Sequence, residues 1–135
     1  MTVIVAIDDQ NGMMFNNRRQ SQDSILRKRI LSVSKGHTLW MNEYSAKQFS
    51  SENDSSIIVD NDFLKKAESE DYCFVENTDV LPYLERVDSI VIYKWNRVYP
   101  GDVFFTVPMR EWTMKSVSEF VGSSHKRITE EMYVK

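Results

Sequence analysis

The chain has 135 residues, of which 41% are hydrophobic and 12% aromatic, so it forms one domain with enough apolar side chains to build a core. A formal net charge of −3 argues against nucleic acid as the main partner, and a single cysteine, Cys73, excludes an internal disulfide framework and fits a reducing compartment. No apolar run approaches a membrane span, and the first one stops at Ile7, too short for a signal peptide, so a cytoplasmic domain without membrane contact is the expectation. Charge is unevenly placed: residues 1–49 carry +3, residues 50–88 carry −8 and residues 89–135 carry +2.

Val3 to Ile7 (VIVAI) is a continuous β-branched run and predicts a central strand buried on both faces, ended by DDQNG. Between Asp23 and Val33 the apolar residues Ile25, Leu26, Ile30 and Val33 fall near helical spacing, with Ser21 or Asp23 as cap. Lys35-Gly36 closes that helix, HTLWM reads as a short strand, and Asn42 to Phe49 as a further helix. SENDSS is a polar loop; its Asn53-Asp54-Ser55 matches the glycosylation pattern, a match without weight in a chain with no secretion signal. SIIVD (56–60) predicts a second buried strand, NDFLKKAESED a short helix capped by Asn61 or Asp62, and YCFVEN another strand.

Thr78 is placed to cap a helix over TDVLPYLERV, where Pro82 falls in the first turn and removes no helical hydrogen bond. DSIVIYKW (88–95) predicts the fourth strand. Pro100-Gly101-Asp102 is a turn that returns VFFTV toward the core, and RITEEMYVK closes the chain as a strand. Strands alternating with helices over the first 95 residues predict an α/β domain with a mainly parallel central sheet, flanking helices and a C-terminal antiparallel hairpin.

VDSIVIYKWNRVYPGDVFFTVPMREW resembles the late-strand segment of the dihydrofolate reductase family: an apolar strand, then Gly101-Asp102, an aromatic at Phe105 and Trp112 beyond it. VIVAIDDQNGMM, GHTLWMNEYSAKQF, SIIVDN and ITEEMYVK resemble other segments of that family in the same order, so the resemblance spans most of residues 1–135. It implies one reductase-like domain, shortened before Asp23 and between SIIVD and YCFVEN. It implies substrate positions at Val5, Ala6, Leu26, Ile30, Phe74 and Tyr93, and cofactor positions at Ala6, Ile7, Met14 and Ser45. The family's catalytic acid on the first long helix has one candidate, Asp23, which also suits a helix cap.

The family reduces a pterin with hydride from NADPH, and the residues for that task are largely replaced. Where the family holds pyrophosphate on a Gly-Gly pair, Val75, Glu76 and Asn77 stand, with Val80 for a tyrosine one turn on. The Gly-Arg pair for the 2′-phosphate becomes Asn42-Glu43, and Asp60, Asp62 and Glu76 add negative charge to the same side. The arginine for the folate tail falls in SENDSS near Asp54, and the threonine that supports the acid aligns with Tyr93. The reading is a dihydrofolate-reductase-like protein without NADPH binding or reductase activity, serving as a binding module for a pterin-like molecule or a protein partner. A divergent NADPH-dependent reductase is the alternative.

Outside this resemblance the candidates are plain. His37 and His125 are far apart with no acid or thiol pattern, which predicts neither a metal site nor a triad. Cys73 reads as an inert core thiol, and Trp40, Trp95 and Trp112 as core. Arg18, Arg19, Arg27, Lys28 and Arg29 read as a solvated basic face, with an anion or partner site as the minor alternative.

Overall fold

The computed structural model describes residues 1–52 and 54–135; Asn53, and with it the glycosylation pattern, lies outside the described residues. The elements in chain order are β1 (Thr2–Ile7), β2 (Gly12–Phe15), β3 (Arg18–Arg19), α1 (Ser24–Val33), β4 (Leu39–Met41), α2 (Glu43–Ala46), β5 (Ile57–Val59), α3 (Phe63–Lys66), β6 (Tyr72–Phe74), β7 (Ser89–Lys94), β8 (Val103–Phe104), β9 (Thr113–Phe120) and β10 (Ile128–Val134), with short 3₁₀ turns at Lys47–Phe49, Leu81–Arg86 and Met109–Glu111. Among the described residues the main sheet has the order β5-β4-β6-β1-β7-β10-β9, and a smaller sheet the order β3-β2-β8.

β1 lies between β6 and β7 and is parallel to both, as its unbroken apolar run predicts for a strand covered on two faces. β4 and β5 continue the parallel set, while β10 runs antiparallel to β7 and closes the sheet as a hairpin with β9. Side chains alternate across the sheet with the period of two. Ile4, Phe74, Val91 and Tyr93 face α1 and pack with Leu26 and Ile30, whereas Val3, Val5, Cys73, Ile90 and Ile92 face Phe63, Leu64, Phe105 and Trp112.

Four elements depart from the sequence reading. SIIVD is an edge strand, not a buried one: Ile58 and Val59 are 42% and 46% exposed, since β5 has a neighbour on one side only. TDVLPYLERV forms a 3₁₀ turn that starts after Val80, because Asp79 rather than Thr78 accepts the first amide, that of Leu81. α3 has Asp62 in its cap position without a side-chain bond; Asp60 accepts the Asp62 amide instead, and the Arg86 guanidinium caps the other end through the carbonyls of Leu64, Lys65 and Ala67. VFFTV contributes only Val103 and Phe104 as a strand, both exposed and paired to β2 outside the main sheet, while Phe105 and Val107 reach the core. The β2–β3 hairpin was not read from the sequence: Asn16 and Asn17, both at positive φ, make its tight turn, but the flanking strands are too short to show alternation. Among the described residues, no helix is long and apolar enough to cross a membrane.

Candidate functional site

Asp23 caps α1: Oδ1 accepts the amides of Ile25 and Leu26, and Oδ2 lies 2.9 Å from His125 Nδ1. The loop that carries His125 wraps the same carboxylate, with the Ser123 and Ser124 amides at 3.0 and 2.9 Å and the Ser124 hydroxyl at 3.2 Å. Burial alone would raise its pKa, but the Ser124 amide, His125 and the other donors outweigh that and hold the carboxyl well below the usual range. Gly122 is required beside it, since a Cβ there would collide with Asp23 Oδ2.

The imidazole is fixed on its other edge too. His125 Nε2 lies 3.0 Å from Ser21 Oγ and 3.1 Å from the Tyr99 hydroxyl, and its ring stacks on Trp95 at 4.5 Å between centroids. The sequence reading did not connect these residues: Ser21, Asp23 and His125 stand in hydrogen-bonded line. A separation of about a hundred residues hid this, and only the position of His125 after Gly122-Ser123-Ser124 hinted at a tight, polar loop. Among the described residues, no group of three or more His, Cys, Asp or Glu could hold a metal ion.

The substrate positions implied by the resemblance divide between the two faces. Ala6, Leu26, Ile30, Phe74 and Tyr93 come together between β1, β6, β7 and α1 in one packed cluster, while Val5 packs on the opposite face. Tyr93 is buried and its hydroxyl donates to Glu130 at 2.8 Å; burial and then the Glu130 charge raise its pKa. Glu130, which sequence reasoning did not single out, pairs with both guanidinium arms of Arg29 at 2.7 and 2.9 Å and so ties β10 to α1. The strand register sets Glu130 opposite Tyr93.

Of the cofactor positions, Ala6 and Ile7 lie on opposite faces at the end of β1, Met14 is buried in β2, and Ser45 is buried in α2 with no partner for its hydroxyl among the described residues. The segments that would flank a phosphate are joined to one another. Arg19 makes a two-point salt bridge to Glu76 at 2.9 and 3.2 Å, stacks over the Tyr44 ring and donates to the Tyr44 carbonyl. Its own amide takes the Tyr44 hydroxyl as acceptor, and Asn42 Nδ2 donates to Asn77 Oδ1 at 2.7 Å. The excess of negative charge expected on this side is thus partly neutralised: Glu76 by Arg19, and Asp60 by Lys66 at 2.5 Å.

The basic cluster does not act as a unit. Arg19, Arg27 and Arg29 face Glu76, Glu52 and Glu130, and Arg18 stands exposed beside a cavity of about 430 Å³ bounded by Phe15, Gln20, Tyr99 and Pro100. Asp8 organises the neighbouring loops, accepting from the amides of Gln10, Gly12 and Tyr99 and from Gln20 Nε2. Cys73 is fully buried and its thiol is pushed up to about 12 by burial. Trp95 and Trp112 are buried, whereas Trp40 is half-buried and donates to Asp71.

No family model and no curated protein matches the sequence. Among solved structures, a dihydrofolate reductase from Enterococcus faecalis complexed with NADP(H) and RAB-propyl aligns with a TM-score of 0.69 and 11% identity over 98% of this chain and 94% of its own. The chain has a dihydrofolate-reductase-like fold. At that identity the likeness extends to the course of the backbone, and the mainly parallel dihydrofolate-reductase-like sheet with its terminal hairpin agrees with the architecture expected from VIVAI, YCFVEN, DSIVIYKW and the last strand.

Proposed function

We propose that this protein is a dihydrofolate-reductase-like binding module that has given up NADPH binding and hydride transfer. The observation that carries the reading is the Arg19 clamp. The guanidinium and Glu76 fill one another's charge where the resemblance places a pyrophosphate, and Asn42 and Asn77 do the same for the flanking amides. A nucleotide phosphate would have to break a salt bridge whose carboxylate is 10% exposed, then face that carboxylate unpaired. Asp23, the candidate acid, already accepts from six donors, which supports the loss of hydride transfer. A ligand of this module is then a pterin-like molecule, or a protein partner, that binds without reduction.

The alternative, a divergent NADPH-dependent reductase, has one observation in its favour: the Ser45 hydroxyl, at a cofactor position, is buried and lacks a partner. Such a group costs about 1–3 kcal/mol unless something satisfies it. Titration with NADPH, read by energy transfer from the tryptophans to the nicotinamide, separates the two. The expected result is no saturation into the millimolar range. A dissociation constant near or below about 10 μM, together with NADPH-dependent reduction of dihydrofolate that Asp23→Asn abolishes, would establish the reductase. Thermal shift with dihydrofolate and a diaminopyrimidine antifolate, in the absence of NADPH, then tests the pterin arm of the module.

A further inference from the structure

Three chain segments that are distant in sequence bring a hydroxyl, an imidazole and a carboxylate into one line. Ser21 Oγ is 3.0 Å from His125 Nε2, and His125 Nδ1 is 2.9 Å from Asp23 Oδ2. Asp23 is held by four backbone amides, those of Ile25, Leu26, Ser123 and Ser124, so its direction is set by α1 and by the 123–125 loop. An ionised carboxylate only accepts hydrogen bonds. Its contact with Nδ1 therefore selects the tautomer with a proton there and leaves the Nε2 lone pair facing Ser21. The indole of Trp95, stacked at 29° to the imidazole, prevents the ring from turning away.

A structural staple would need the Asp23–His125 contact alone. Ser21 adds nothing to the cap; its hydroxyl meets only the imidazole, and the residue is half-buried rather than enclosed. The Ser21 and Gln22 amides donate to no described residue, which leaves two backbone donors in the stretch of chain that carries Oγ. Gln20, next to Ser21 in the chain, and Tyr99, whose hydroxyl reaches His125 Nε2, form part of the wall of a cavity of about 430 Å³ that neighbours the Ser21–His125 contact. From this geometry we infer that Ser21, His125 and Asp23 form an acyl-transfer triad, with Ser21 as nucleophile, acting on small carboxylic esters.

The chemistry closes without any further reagent than ester and water. Ser21 Oγ bonds to the acyl carbon as its proton passes to His125 Nε2, and the carbonyl electron pair moves to oxygen, which the free amides receive. Collapse restores the carbonyl and breaks the bond to the alkoxy group, which leaves with the proton from Nε2. Water then attacks the acyl-serine, gives a proton to Nε2, and the acid departs as that proton returns to Ser21. Asp23 touches no reacting atom and is a positioning residue. Tyr99 competes with Ser21 for Nε2 at 3.1 Å, so it restrains the nucleophile.

The test uses the whole protein with an alkyl fluorophosphonate and with p-nitrophenyl acetate. The expected result is a covalent adduct that peptide mass mapping places on Ser21. Ester turnover falls at least tenfold in Ser21→Ala. Tyr99→Phe labels faster than the wild type. His125→Gln loses labelling, and if that variant does not fold, the Tyr99→Phe rate decides. The assignment is overturned if the folded protein takes no adduct at Ser21, if Ser21→Ala turns over ester at the wild-type rate, or if Tyr99→Phe labels no faster.

Discussion

Asp23 shows how much one carboxylate can organise. As a cap alone it would be worth about 1 kcal/mol, but it also fixes the 123–125 loop against α1. Asp23→Asn keeps the shape and loses an ionic acceptor of several amides, so urea unfolding at pH 7 should show a loss of about 2–4 kcal/mol. The sign of the pH dependence follows from the depressed folded-state pKa: the stabilisation is complete above the unfolded value of 3.8 and is lost as pH falls through the lower folded value. Midpoints measured from pH 6 downward should therefore fall more steeply below about pH 4 in the wild type than in Asp23→Asn. Gly122→Ala should cost about 1–3 kcal/mol, because the new methyl group meets the Asp23 carboxylate and Ile128. The cap was legible in the sequence from Ser21, Asp23 and the apolar spacing that follows. The partner was not, since nothing local to Ser123-Ser124-His125 says which acid they enclose.

At the scale of elements, local pattern and tertiary contact part company where an element is short. α1 and β7 are long enough for their periodicity to predict them, and both formed as read. β5 looked buried because three β-branched residues are apolar whether a strand is central or at an edge; position in the sheet is a property of the whole chain. The β2–β3 hairpin has no apolar alternation to announce it and is held from outside, by Arg19 on Glu76 and Tyr44 and by Asn16 on Asp102. Arg19→Ala should thus cost about 1–3 kcal/mol and leave Glu76 unpaired, and hydrogen exchange should rise first at the amides of residues 13–20. Exchange confined to α1 instead would show that the hairpin is secured elsewhere.

For the molecule as a whole, the order of strands matters more than any single contact. β1 takes its neighbours from residues 72–74 and 89–94, so the centre of the sheet cannot close until most of the chain has been gathered. Folding followed by stopped-flow fluorescence should be slow for this length, in the range of milliseconds to seconds. The sheet also ends on β9, where Met114 and Val117 are 45% and 57% exposed. Val117→Lys should change stability by less than about 0.5 kcal/mol while reducing self-association seen by light scattering at high concentration. The architecture was legible because the three apolar runs, VIVAI, YCFVEN and DSIVIYKW, are the three adjacent strands. The site was less so: a departure from a resembled pattern names no new site, whereas Arg19, Glu130 and His125 pair with residues dozens of positions away.

The placement of Cys73 turns the protein into its own clock. Its side chain lies in β6, level with Val3 of β1 and Trp40 of β4, and is wholly covered. With the thiol pushed up to about 12, a disulfide reagent in solution meets almost no thiolate while the strands are together. Release of a coloured leaving group from such a reagent would therefore count openings of the sheet centre, one event per molecule. The dependence of that count on denaturant would tell whether β4, β6 and β1 separate alone or only when everything else does.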